Sequence, residues 1–284
     1  GAALGALVEQ GTVAREEIVV ASKAGFLSFD GEVPADPRAY FMEEYVSRGI
    51  VKPEEVVGGM HCLAPRYLED QIERSRRNLR LETVDIYYLH NPETQLQAVP
   101  RAEFLRRMRA AFETREAAVA AGKIRCYGLA TWTGFRGPPA GRDSLGLQEL
   151  VKLAEQVAGP EHHFKVVQLP YNLAMPEAFA LRNQPLAGET VSVLEAARRL
   201  GLTVFASASI MQGQVAVNLL AELRAQLNGG LDTDAQRGLQ FVRSTPGIGA
   251  ALVGMRRLEH VEENLRLLSR ALAPPEAIRQ LFSA

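Results

Sequence analysis

The sequence predicts a parallel α/β fold: a TIM-type (β/α)8 barrel, incomplete at its N-terminus, with about six of the eight βα units present. Three observations carry this expectation. Short apolar runs recur at intervals long enough to hold a helix, and most are continuous rather than alternating, as in strands buried on both faces of a parallel sheet. The segments between them are amphipathic at helical spacing. No run is followed by a G-x-G-x-x-G turn that opens a helix, which argues against an open, doubly wound dinucleotide sheet. No change of composition marks a linker, so residues 1–284 are read as one domain.

The elements follow in order. Leu4, Leu7 and Val8 lie at helical spacing and the pattern stops at Gly11, so the chain opens inside a helix. It begins at Gly1, and the two strands needed to complete a barrel are expected upstream. Strands are predicted at Ile18–Ser22, Val84–Leu89, Ile124–Ala130, Val166–Leu169, Thr203–Ala206 and Ala250–Val253. Helices are predicted at Leu68–Leu79, with Leu68, Ile72 and Leu79 on one side, and at Phe104–Ala120, Val191–Leu200, Ala216–Leu227 and Val261–Leu272. A helical pair is expected over Met175–Ala187. Two irregular stretches leave the downstream ends of strands: Phe26–Pro65, with a short helix at about Pro37–Arg48, and the Gly/Pro-rich Thr133–Ser144. In a barrel, such loops carry function.

Composition narrows the class. Apolar residues make up 47% and charged residues 23%, which suits a chain that buries a large core. A net charge of −1 gives no electrostatic case for nucleic acid or an anionic membrane surface. No stretch reaches the roughly 18 consecutive apolar residues of a membrane span, and no basic segment followed by an apolar core opens the chain. Cys62 and Cys126 lack metal-ligand spacing. They read as reduced thiols, no metal is expected, and the cytoplasm is the expected compartment.

Lys23 and His90 each follow a buried strand, at the end where substrates and cofactors bind in parallel folds. An ammonium favours phenolate in a nearby tyrosine and brings its pKa down from about 10. An imidazole N–H can hold a developing alkoxide. The structural alternatives are a solvated loop lysine and a histidine that caps the turn before Asn91-Pro92.

Five segments in order resemble the aldo-keto reductase superfamily: Val19-Val20-Ala21-Ser22-Lys23, Val84 to Pro92, Gly122 to Ala130, Gln168-Leu169-Pro170-Tyr171-Asn172, and Gly254 to Asn264. The resemblance implies a (β/α)8 barrel that binds NADP(H) in an extended pose without a Rossmann domain. It implies reduction of an aldehyde or ketone to an alcohol by hydride transfer, on a small-molecule carbonyl or alcohol substrate. In that family a Tyr protonates the carbonyl oxygen, a Lys lowers its pKa, an Asp pairs with the Lys and a His fixes the carbonyl. Lys23 and His90 match the Lys and the His. The Tyr and Asp positions fall upstream of Gly1, so this stretch alone is expected to be inactive. Tyr87 and Tyr88 lie within a strand, and Tyr40 and Tyr45 in the inserted helix; none is assigned as the proton donor.

The resemblance also implies the cofactor contacts. Thr131 and Gln168 match the carboxamide-binding positions, with Ala130 where the family commonly has Ser. Ser207 stands where a Tyr usually stacks on the nicotinamide, leaving hydroxyls such as Ser207 and Ser209 for the pyrophosphate. Gly254 to Arg257 leads into a helix whose N-terminus favours an anion, with Arg256 suited to phosphate. Glu263 and Asn264 match the adenine contacts; His260 replaces a common Arg, so NADP(H) is favoured while NAD(H) stays open. Two other readings compete: a Schiff-base aldolase with Lys23 as nucleophile, and a non-catalytic, NADP-binding regulatory protein on the same scaffold.

Overall fold

The computed structural model describes residues 1–227 and 229–282. The chain runs α1 (Ala2–Glu9), β1 (Ala21–Ala24), α2 (Pro37–Phe41), α3 (Pro65–Leu79), β2 (Val84–His90), α4 (Arg101–Ala120), β3 (Ile124–Ala130), α5 (Leu147–Ala158) and β4 (Phe164–Pro170). It continues α6 (Glu177–Ala180), β5 (Arg182–Leu186), β6 (Glu189–Ser192), α7 (Val193–Arg199), β7 (Thr203–Ser207) and α8 (Ala221–Gln226). The remaining elements are α9 (Asp234–Ser244), β8 (Ile248–Ala251), α10 (Leu258–Leu265) and α11 (Pro275–Gln280). The fold is α/β, with a parallel six-stranded sheet in the order β1-β2-β3-β4-β7-β8, as in a (β/α)8 barrel. No helix among the described residues is long and apolar enough to cross a membrane.

Two compact units are present: residues 1–130 with 149–166, and residues 131–148 with 167–284. In the first, β2 is buried along nearly its whole length, which explains why it is apolar but for Asp85 and the terminal His90. Helix α3 meets it through Gln71 and Ser75, which bond the Tyr87 hydroxyl, and its Leu68 and Ile72 are essentially inaccessible. Each such side chain contributes about 1.5–3 kcal/mol by leaving water.

Strand β1 lies about three residues downstream of the predicted Ile18–Ser22. The β-branched run is a lead-in, with Val19 64% exposed. Pairing is set instead by Asp85, whose carboxylate accepts the Val20 N–H at 2.8 Å and an Arg15 guanidinium at 2.7 Å. A buried charged clamp fixed the register where β-propensity alone pointed earlier.

In the second unit the expected helical pair at Met175–Ala187 is mostly not helical. Only α6 forms; β5 and β6 make an antiparallel hairpin closed by Ala187 and Gly188, with φ of 51° and 86°. Positive φ at both central residues is the backbone of a two-residue hairpin turn, and Pro185 bars a continuing helix. The hairpin presents Asn183 and Gln184 to the 131–148 segment. Asn183 Nδ2 donates to the carbonyls of Phe135 and Gly137 at 2.7 and 2.8 Å, and Gln184 Oε1 accepts the Leu147 N–H at 2.9 Å. These two buried amides hold the Gly/Pro-rich loop. Helices α5, α9 and α11 were not anticipated, although Leu147, Leu150, Val151 and Ala154 of α5 lie at helical spacing.

Candidate functional site

In the first unit, register decides which side chains meet. Lys23 pairs with Tyr88 and Ala24 with Leu89 across parallel strands β1 and β2. Partners in register point the same way and successive residues alternate, so Lys23, Tyr88 and His90 share one face. Ser22 and Tyr87 take the opposite face, where both hydroxyls meet Ser75 of α3 at 2.9 Å. Lys23 and His90 thus share one face at the downstream rim, but neither follows a buried strand as expected: Lys23 lies within β1 and is exposed, and His90 is the last residue of β2.

Just beyond β1 the backbone turns across His90. Cys62 N–H donates to the Gly25 carbonyl at 2.7 Å, and Leu27 N–H to that of Met60 at 2.7 Å. This ladder draws the 57–61 turn under the rim and delivers His61, a fully buried residue. Phe26 stands edge-on to both histidines, its ring centroid 4.9 Å from His61 and 5.1 Å from His90. The Tyr67 hydroxyl fixes Phe26 by donating to its carbonyl at 2.5 Å. Phe26 is therefore part of the histidine environment.

Burial, then the Lys23 charge, then His61 push the His90 pKa down to about 4, so its imidazole is neutral at neutral pH. Desolvation also lowers the pKa of Lys23, which has no ion pair among the described residues. The Tyr88 hydroxyl is buried without a hydrogen-bond partner among the described residues, and burial drives its pKa up. That is the reverse of a phenol tuned by an ammonium. Tyr87 and Tyr45 donate to the carbonyls of Gln71 and Ser28 at 2.7 and 2.6 Å, while Tyr40 accepts the Asp30 N–H at 3.1 Å. Both cysteines are free thiols, and no cluster of three metal-ligating side chains occurs among the described residues.

In the second unit, backbone hydrogen bonds join the downstream ends of neighbouring strands. Thr131 N–H donates to the Gln168 carbonyl at 2.9 Å, Tyr171 N–H to that of Ser207 at 3.1 Å, and Leu252 N–H to that of Ala206 at 2.8 Å. The Thr131 hydroxyl already accepts the Gly134 N–H at 3.0 Å. The buried Ser209 hydroxyl donates to the Ala206 carbonyl at 3.2 Å. After β7 the chain winds tightly, with Ala208 at φ 52°, and the fully buried Asn172 holds it there by donating to the Ala208 carbonyl at 2.9 Å. Ile210 and Val253, from the loops after β7 and β8, pack on the same cluster of Leu231, Leu239 and Leu267.

Helix α10 starts at Leu258 with no side-chain cap on its first N–H groups. Gly254 is exposed and faces open space, and Arg256 is exposed with no ion pair among the described residues. Glu263 accepts a hydrogen bond from the Thr233 hydroxyl. Asn264 Oδ1 is a buried acceptor with no partner among the described residues. An uncapped helix start, a free guanidinium and an orphaned acceptor within one segment suit a phosphorylated nucleotide.

Comparison with known proteins finds one matching family model, over just under half of the chain. Residues 2–136 match the Aldo/keto reductase family. That stretch holds both Lys23 and His90. No curated relative matches by sequence. In structure, the aldo/keto reductase-like chain is similar to an aldo-keto reductase of Bacillus halodurans in its holo form, at 14% identity and a TM-score of 0.61, over 97% of this chain and 76% of that one. It is also similar to an aldo/keto reductase of Klebsiella pneumoniae in complex with NADP and acetate, at 20% identity and 0.58, over 98% and 72%. A third is the thermostable aldo-keto reductase Tm1743 in complex with the inhibitor epalrestat, at 18% identity and 0.58, over 98% and 75%. At these identities the structural likeness establishes the fold.

Sequence reasoning missed His61, Gln95 and Arg107, which stand behind His90. The signal available was Gly58-Gly59-Met60-His61, a tight turn ending on a histidine, but only the tertiary ladder shows what it faces.

Proposed function

We propose that this chain serves an NADP(H)-linked carbonyl oxidoreductase that interconverts an aldehyde or ketone and its alcohol. The observation that carries the proposal is the shared face of Lys23 and His90, with His90 held neutral. NADP(H), when bound, supplies or takes the hydride. His90 gives a ring N–H to the substrate oxygen as negative charge gathers there; a neutral imidazole donates without competing for the proton. Lys23 places a positive charge beside the same oxygen and lowers the pKa of any phenol brought to it. Among the described residues no tyrosine hydroxyl is so placed, and the proposal assigns no proton donor within this stretch. Arg256 and the first N–H groups of α10 would take phosphate, Asn264 Oδ1 an adenine N–H, and Gln168 with Thr131 the carboxamide. Ser207 and Ser209 border the pyrophosphate path, and Gly254 leaves room for it. Exposed Arg256 favours NADP(H) over NAD(H), and the proposed compartment is the cytoplasm.

The test is NADPH oxidation by the protein as its gene encodes it, against aldehydes and ketones. Lys23→Met is expected to lower kcat by at least about a hundredfold while leaving NADPH affinity in place. Tight binding without turnover of any carbonyl would favour the regulatory reading. The lowered pKa of Lys23 also suits a Schiff-base nucleophile. Borohydride trapping of a carbonyl compound on Lys23 would establish that chemistry in place of hydride transfer.

A further inference from the structure

The hydrogen bonds beneath His90 admit a single assignment of donors. Arg107 Nη1 donates to Gln95 Oε1 at 2.5 Å, so the amide turns its Nε2 hydrogens toward His61 Nδ1, 2.8 Å away. His61 Nδ1 therefore accepts, and its ring proton sits on Nε2. That Nε2–H donates to the His90 carbonyl at 2.8 Å. Arg107 is itself aimed by Glu103, which accepts its Nε–H at 2.8 Å. His61 and Gln95 are fully buried, so no water can replace a lost link, and each break strands a polar atom.

The backbone makes the linkage consequential. Asn91, directly after His90, is left-handed at φ 44°, and its N–H donates to the Ala130 carbonyl at 2.6 Å. The peptide unit joining the two residues is therefore held from both ends, by Ala130 on one side and His61 on the other. Gly25 closes the remaining space: a Cβ there would come within 2.5 Å of the His90 oxygen and 2.9 Å of His61 Nε2.

We propose that His61 is a positioning residue for His90: fixed in one tautomer by Gln95 and Arg107, it holds the His90 carbonyl and thereby sets where the His90 imidazole stands at the rim. The proposal rests on His90 being the group that binds the substrate oxygen. It extends the site inward through residues to which the aldo/keto reductase match gives no role, ending at Glu103 on the surface of α4. Burial holds the His61 pKa at about 4, in accord with a ring that stays neutral.

The test uses 15N-labelled histidine and NMR on the whole chain. In the unaltered protein, His61 is expected as the Nε2–H tautomer. Gln95→Glu keeps the shape but replaces a donor with an acceptor, so His61 must place a proton on Nδ1 as well. Its pKa is expected to rise by about two units or more, and the His90 resonances and titration to move with it. Gln95→Leu removes the fixing partner; here His61 is expected to populate both tautomers and His90 to broaden. An Nδ1–H tautomer in the unaltered protein would overturn the proposal. So would an unmoved His90 in folded Gln95→Glu protein, with folding checked by circular dichroism. These readouts need no dinucleotide and no turnover. Failure of the carbonyl-reductase reading would show separately, as no NADPH oxidation by the unaltered protein.

Discussion

Gly25 and His90 approach so closely that a methyl group at position 25 would sit 2.5 Å from the His90 carbonyl oxygen. Gly25 also has φ 156°, a backbone state that side chains disfavour. Gly25→Ala must push β1 from β2 at the rim or break the His61 contact. The expected cost is about 1–3 kcal/mol, read from urea midpoints. The His90 pKa should climb from about 4 toward 6.5 as water enters. An unchanged midpoint would contradict the close approach.

Acid should loosen this rim in a defined window. The pKa of both His61 and His90 falls from 6.5 to about 4 on folding, chiefly through burial. Lys23, the charge acting on His90, is cationic and opposes protonation of its ring. Between these values the unfolded chain binds protons that the folded chain does not. Stability is therefore complete above pH 6.5, falls as pH drops toward 4, and levels off below it. For the fully buried His61 the loss is about 3 kcal/mol. Denaturation midpoints across that range check it, and His61→Gln should flatten the slope.

Asn172 makes a separate prediction in the second unit. Its amide donates to Ala208 at 2.9 Å and to the Met175 sulfur at 3.3 Å, and accepts the Ala174 N–H at 2.8 Å. Asn172→Ala leaves the left-handed Ala208 without its tether. The expected destabilisation is about 1–3 kcal/mol, with faster amide exchange across residues 207–213. Unchanged exchange there would show that the loop holds itself.

Arg256 separates the two dinucleotides. Its guanidinium is exposed with no ion pair among the described residues, beside the uncapped start of α10. Arg256→Ala is expected to weaken NADP(H) about tenfold, the scale of one charge-assisted hydrogen bond, and NAD(H) much less. Titrations by NADPH and NADH fluorescence would measure both. Equal losses would place the arginine on the shared pyrophosphate.

The strand Ile124–Ala130 was legible to the residue, because all but its upstream Arg125 and Cys126 are buried and that stretch is apolar. The same pattern placed Lys23 and His90 at strand ends, and the ordered motifs named the family later matched over residues 2–136. What the sequence could not show was set by contacts distant along the chain. Asp85 moved β1 downstream, a turn at Ala187-Gly188 made a hairpin where helical spacing pointed to a helix, and register put Lys23 on the His90 face. His61 gave no periodic signal at all. Its role comes from partners 29, 34 and 46 residues away, His90, Gln95 and, through Gln95, Arg107. Periodicity records which side of an element is buried; it carries no information about which polar groups meet once burial has removed water as their alternative partner.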